Sequence, residues 1–78
     1  MARRPPLPMP DDVAQELDMR GVADDYAARP YYQRNDYLSW IDRAKRIETR
    51  RKRIEQMLDE LEAGGVYMGM DHAPSRKG

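Results

Sequence analysis

Apolar residues recur at helical spacing through the second half of the chain, in two stripes separated by a short basic segment. Over residues 31–44, positions three and four apart carry a broad, mostly apolar face, as in a helix packed on a core. That face consists of Gln33, Arg34, Tyr37, Leu38, Trp40, Ile41 and Ala44. Over residues 48–63, the second stripe consists of Ile54, Met57, Leu58 and Leu61. The pattern predicts two helices that pack as an antiparallel pair.

Two shorter helices are predicted ahead of this pair. Asp11-Asp12 begins the first, residues 11–20, because carboxylates complement the positive end of the helix dipole and accept bonds from free N–H groups. Gly21 is a natural stop for that helix. The second, residues 22–28, ends ahead of Pro30, since proline disfavours the helical conformation at the residue before it.

The predicted fold class is all-α: a small orthogonal or antiparallel bundle of about four helices. A chain of 78 residues forms at most one domain, with a modest core. That domain is expected over residues 11–64, with Gly64-Gly65 as the left-handed cap of the last helix. Residues 1–10, a proline-rich arm, and residues 65–78 lack apolar periodicity, so both are predicted to be disordered.

The composition excludes several classes of protein. Fourteen basic residues balance fourteen acidic ones, so no net field attracts nucleic acid or anionic lipid to the whole molecule. The absence of cysteine excludes disulfides and fits a reducing compartment. The basic N-terminus has no apolar run behind it, and no segment has the roughly 20 apolar residues that a membrane span needs. We expect a cytoplasmic protein.

Residues that could support catalysis are scarce. His72 is the only histidine, and no carboxylate, hydroxyl or thiol is placed to form a relay with it. Asp11 and Asp12 have no third ligand at a suitable spacing, which favours helix capping over metal binding. The acids of the last helix have the spacing of a solvated face: Glu55, Asp59, Glu60 and Glu62. The sequence therefore predicts no enzymatic activity, no bound metal and no cofactor.

Basic residues are concentrated around the start of the last helix. Seven lie between Arg43 and Arg53, against a single acid, Glu48. Such a cluster is suited to phosphate or anionic headgroups, whereas the acids that follow favour a solvated, salt-bridged surface. The candidate partner-binding patch consists of Arg43, Lys45, Arg46, Arg51 and Lys52.

Arg50 is expected to behave differently from its basic neighbours. On a helical wheel it falls inside the apolar stripe of the last helix, together with Ile47. We therefore predict that Arg50 lies against the preceding helix, near Trp40 or paired with a carboxylate such as Asp36. Trp40 could instead offer a base-stacking platform, but its spacing favours the core. The residues assigned a structural role are Tyr37, Trp40, Ile41, Arg50, Ile54, Leu58 and Leu61.

Residues 37–64 also carry a recognisable motif, which reads YLSWIDRAKRIETRRKRIEQMLDELEAG. Its distinctive positions are Trp40, Ile41, Ala44, Lys45, Glu48, Thr49, Arg50, Arg53, Ile54 and Gly64. This motif resembles the C-terminal module of the bacteriocin-protection, YdeI/OmpD-associated family. Residues 11–17 are similar to the first helix of that module, so the resemblance covers about residues 11–64. Two features depart from the family pattern: Ile47 stands where proline is usual, and the sequence has no counterpart of the larger N-terminal domain of many members.

The resemblance implies a non-catalytic interaction module in a cytoplasmic bacterial protein, linked to tolerance of antimicrobial peptides or envelope stress. It does not imply a mechanism, and no function of the missing domain is transferred. We expect the partner to be another protein. The alternative is a small helical domain that binds nucleic acid through the basic segment, residues 43–53. Neither hypothesis defines the oligomeric state.

Overall fold

The computed structural model describes residues 9–71, and it confirms the all-α fold class and the four predicted helices. The elements are α1 (Asp11–Arg20), α2 (Ala23–Ala28), α3 (Tyr31–Asp42), α4 (Ile47–Ala63), β1 (Val66–Tyr67) and β2 (Met70–Asp71). The observed bounds lie within two residues of the predicted ones. Most of the proline-rich arm, together with His72, lies outside the described residues.

The turn between α1 and α2 shows how local sequence determines a helix end. Gly21 adopts a left-handed conformation, with φ of 69°. Its N–H donates to the carbonyl of Asp18 at 3.1 Å, and the N–H of Val22 donates to that of Leu17 at 3.0 Å. These are the two bonds of a Schellman motif, in which glycine avoids the penalty that a side chain would incur. Val22 and Leu17 are both buried, so the same turn directs the chain back onto the core.

Helix α4 is the element on which the other helices pack, since it contacts α1, α2, α3 and β1. Its apolar stripe is buried as predicted. The opposing side of the core comes from α3 and from the α1–α2 layer, and Tyr37 and Ile41 of α3 are fully buried. The complete core consists of Val13, Leu17, Val22, Tyr26, Tyr37, Leu38, Ile41, Ile54, Met57, Leu58 and Leu61. Trp40 packs against this core but is only partly buried.

The connection between α3 and α4 corrects one detail of the sequence prediction. Helix α3 ends at Asp42, and Arg46 has an extended backbone before α4 begins at Ile47. The helical wheel placed Ile47 within the apolar stripe, yet its side chain is 74% exposed. It belongs to the first turn of α4, next to the reversal of the chain. A helical wheel shows on which side of a helix a residue lies, but it does not show how far the neighbouring helix extends.

The chain continues into a small antiparallel hairpin, where the sequence analysis expected a disordered tail. Val66 pairs with Asp71, and Tyr67 pairs with Met70. The two turn residues, Met68 and Gly69, have φ of 52° and 80°. Positive φ at both positions is typical of a two-residue hairpin turn. Strands of two residues carry no periodic signal, which is why a search for apolar stripes misses them. The remainder of the predicted tail lies outside the described residues.

Within residues 9–71, none of the helices combines the length and apolar character that crossing a membrane requires.

Candidate interaction surface

The segment between α3 and α4, together with the first turns of α4, forms an exposed cationic surface that we call the basic joint. All five residues of the predicted patch belong to it, and all five are exposed: Arg43, Lys45, Arg46, Arg51 and Lys52. Arg43 donates from Nε to the carbonyl oxygen of Ser39 at 3.3 Å. The ion pairs found within the described residues involve Arg20 and Arg50 instead. The basic joint is therefore a positive surface without a carboxylate partner among those residues.

Arg53 belongs to the same basic run but is used inside the molecule. Its guanidinium carbon lies over the ring of Trp40, 5.3 Å from the centroid. Its Nη1 also donates to the carbonyl oxygen of Trp40 at 2.5 Å. This cation–π contact occupies one of the two ring faces on which a nucleic-acid base could stack. The structure thus gives Arg53 the contact with Trp40 that the sequence analysis assigned to Arg50.

Arg50 pairs with a carboxylate, although with neither of the residues proposed from the sequence. Its Nε and Nη2 donate to the two oxygens of Asp12 at 2.8 and 3.0 Å. Asp36 instead accepts a hydrogen bond from the Tyr67 hydroxyl. The helical wheel placed Arg50 on the side of α4 that faces the preceding helix, but the helix that it meets is α1 and not α3. The hydrogen bonds from Arg50 hold the pKa of the Asp12 carboxyl below its usual range.

The acidic face of α4 is bound by an arginine from α1. Arg20 reaches Glu55 at 3.2 Å, Asp59 at 2.6 Å and Glu62 at 2.8 Å. Hydrogen bonds to these carboxylates raise the pKa of Arg20, which keeps it charged. Opposite charges on α1 and α4 thus meet at the C-terminal half of α4, whereas the five cations of the basic joint have no carboxylate partner among the described residues.

Glu60 was predicted to lie on a solvated face, and this prediction is wrong. Its side chain is only 6% exposed and folds towards the hairpin. One carboxylate oxygen accepts bonds from the Tyr37 hydroxyl and from the N–H of Met68, the latter at 2.8 Å. The other accepts from the N–H of Gly69 at 2.7 Å and from Gln56 Nε2 at 3.1 Å. Both N–H groups of the hairpin turn are therefore held by one buried carboxylate.

Two further polar residues are buried beside Glu60, and sequence reasoning missed both. Arg29 is 5% exposed and donates to the backbone carbonyl of Glu60 at 3.1 Å. Its other terminal nitrogen donates to Gln33 Oε1, also at 3.1 Å. The one signal was that Gln33 falls on the apolar face of α3. These bonds attach the α2–α3 connection to the last turn of α4.

Aromatic contacts complete the attachment of the hairpin. The ring of Tyr67 meets those of Tyr37 and Tyr32 edge to face, with centroids 5.5 and 6.2 Å apart. Burial, and secondarily the hydrogen bond to Asp36, raises the pKa of Tyr67. Burial likewise raises the pKa of Tyr37, with a further contribution from the carboxylate of Glu60. Both phenols stay protonated at neutral pH and act as donors that hold the fold together.

The fold and this surface define a small all-α module. Several of its acidic residues form ion pairs or hydrogen bonds within the fold, whereas the cations of the basic joint have no carboxylate partner among the described residues. A family model described as bacteriocin-protection, YdeI or OmpD-associated matches residues 6–64. The match covers most of the chain, which therefore belongs to this family, as its motif predicted. No curated protein and no solved structure matches the chain. The proline that is usual in the family at the position of Ile47 would be the first residue of α4. The N–H of a first helical residue makes no hydrogen bond within the helix, so proline, which lacks this group, would lose none there.

Replacing Glu60 with Gln should lower the free energy of unfolding by about 1–3 kcal/mol. The amide keeps one acceptor but places an NH2 donor against groups that themselves donate. Chemical denaturation measures the loss. Glu48→Gln is the matched control, because Glu48 is exposed on the same helix, and the loss of its interaction with the helix dipole should cost no more than about 0.3–1 kcal/mol. Equal effects of the two substitutions would contradict the buried role of Glu60.

The ion pair between Asp12 and Arg50 should make stability depend on pH. Because the folded-state pKa of Asp12 is lowered, the pair contributes fully above the unfolded pKa of about 3.9 and is lost as pH falls through the lowered value. Both side chains are partly exposed, so the contribution should not exceed about 1 kcal/mol. Denaturation of the wild type and of Asp12→Asn should differ at pH 7 and converge in acid. A constant difference at every pH would assign the effect of the substitution to something other than this pair.

Proposed function

We propose that this protein is a non-catalytic interaction module that acts in the bacterial cytoplasm, in tolerance of antimicrobial peptides or envelope stress. Its partner is a protein with an acidic surface, and the contact is made by the basic joint. One observation carries this proposal: the five cations of the joint are exposed and have no carboxylate partner within the described residues. The family match supports the protective role.

The position of these cations argues that they serve binding and not stability. Lys45 and Arg46 precede the first residue of α4, where the dipole of the helix is positive. Cations at that end are unfavourable by about 0.3–1 kcal/mol each. Glu48 is the acid of the first turn and offsets this only in part. An external anionic surface would compensate both the charges and the dipole.

A protein fits this surface better than a nucleic acid does. Ile47 lies among the cations and is one of the most exposed apolar residues of the described chain. A branched apolar side chain suits a protein interface, whereas single-stranded nucleic acids favour aromatic rings on which bases stack. One face of the Trp40 ring is covered by Arg53. The exposed rings of Tyr31 and Tyr32 lie at the other end of α3, roughly 17 Å along its axis.

The internal polar groups also support a non-catalytic role. Both oxygens of Glu60 accept two hydrogen bonds each, which leaves little capacity to act as a base. Among residues 9–71 there is no group of three or more acidic or histidine side chains that could hold a metal ion. The buried polar cluster is accordingly assigned to the fold, and the exposed cations to binding.

Complementation in the host tests the proposal. A strain that lacks the protein is challenged with a bacteriocin, and survival is measured after expression of wild type or of Arg43→Glu/Lys45→Glu/Arg46→Glu. We expect the variant to lose protection. The matched control is Arg3→Glu/Arg4→Glu/Arg76→Glu, which changes the net charge equally outside the region that matches the family. It should protect like the wild type.

The results separate the alternatives. Full protection by the joint variant would contradict a role for the basic joint, and loss of protection by both variants would indicate an effect of net charge alone.

Nucleic-acid binding is tested with purified protein and a fluorescent oligonucleotide over a range of salt concentrations. Binding that weakens steeply with salt and is lost in the joint variant would support the alternative function.

A further inference from the structure

A groove runs between α1 and the N-terminal half of α4, and its lining suggests a second interaction surface. It encloses about 670 Å³. Gln15 and Glu16 line it from α1, and Ile47, Arg51, Ile54 and Glu55 line it from α4. Of these, Glu55 is paired with Arg20 at 3.2 Å. The Asp12–Arg50 ion pair also lines the groove and connects its two sides. Four of the five cations of the basic joint are not among its lining residues, so the groove is largely separate from that surface.

Once the ion pairs of Asp12 with Arg50 and of Glu55 with Arg20 are set aside, the remaining charges on the two sides of the groove are opposite. Glu16 on α1 and Arg51 on α4 make no ion pair within the described residues. A uniformly acidic occupant would meet the like charge of Glu16, and a uniformly basic occupant would meet that of Arg51. A complementary surface must therefore place basic side chains opposite Glu16 and acidic side chains opposite Arg51.

A second copy of this chain offers that arrangement. In a two-fold symmetric contact, the same patch is used by both molecules, so a surface must be complementary to itself. Rotation about an axis that runs along the groove sets the α1 side of one molecule against the α4 side of the other. Glu16 then faces Arg51 twice, once in each direction.

The exposure of Ile47 gives such a contact an apolar group on each molecule. Ile47 is 74% exposed and lines the same groove as the buried Ile54. An isolated exposed isoleucine is common on protein surfaces, but here it borders a concave surface with matched charges. We propose that the protein forms a two-fold symmetric homodimer through the α1–α4 groove, with Ile47 of each molecule packed against the other.

Sedimentation equilibrium tests the state of the 9.1 kDa chain directly. The wild type should show a concentration-dependent mass approaching twice that of the chain. Ile47→Glu should weaken the dimer about 100-fold, because one apolar contact is lost and a charge is introduced on each side. Chemical denaturation at low protein concentration checks that the monomer stays folded. A wild type that remains monomeric up to roughly 1 mM, or a dimer unaffected by Ile47→Glu, would overturn the proposal.

A charge exchange identifies the interface itself. Glu16→Lys and Arg51→Glu should each be largely monomeric, since each homodimer sets like charges against one another. An equimolar mixture of the two should form heterodimers, because both contacts then join opposite charges. Lys52→Glu is the control: it makes the same charge change one residue along, outside the groove, and should dimerise like the wild type. Failure of the mixture to associate would overturn the two-fold arrangement.

This inference shares Ile47 and Arg51 with the proposed binding surface, whereas Glu16 lines only the groove. Loss of dimerisation in Glu16→Lys with protection retained would contradict any need for the dimer in protection, without affecting the role of the basic joint. Conversely, failure of the protection experiment would leave the sedimentation result unchanged.

Discussion

The carboxylate of Glu60 is the interaction on which the arrangement of the other elements depends. Burying a carboxylate is costly unless its oxygens are hydrogen-bonded, and here both are. The donors come from α3, from α4 and from the hairpin turn, and Arg29 binds the backbone of the same residue. Through these hydrogen bonds, Glu60 of α4 holds together the segment between α2 and α3, the middle of α3 and the C-terminal hairpin.

This use of α4 also explains where the free charge lies. Its C-terminal half is acidic, but Glu60 is bound inside the fold and the three other acids meet Arg20 of α1. Its N-terminal half is basic, and there only Arg50 and Arg53 have partners in α1 and α3. What remains is a cluster of exposed cations at the α3–α4 connection. The C-terminal half of α4 therefore contributes mainly to the stability of the fold, and its N-terminal end contributes mainly to the proposed binding surface.

The sequence was sufficient to predict the elements that depend on repetition or on local chemistry. The stripes of α3 and α4, and the stop at Gly21, follow from spacing and from the conformational freedom of glycine. The approximate position of the basic joint followed as well, because charge is visible in the sequence.

The contacts that depend on how elements meet were not predictable in this way. A helical wheel turned Arg50 inward but could not choose between Asp12 and Asp36, which lie on different helices. Periodicity assigned Glu60 to water because charged residues are usually exposed. Two of the four donors that make its burial favourable come from the hairpin turn, and the two-residue strands of that hairpin carry no repeat in the sequence. The functional assignment rested on the family motif, and the dimer groove required the relative placement of α1 and α4.

Amide hydrogen exchange, measured by NMR, tests the central role of Glu60 most directly. The N–H groups of Met68 and Gly69 lie in a turn, where amides usually exchange rapidly unless they are bonded. Because both donate to the buried carboxylate of Glu60, we predict that their exchange is slowed about 100-fold or more relative to an unstructured peptide. Exchange of both amides at the rate of an unstructured peptide would contradict the account, since the hairpin would then not be held by Glu60.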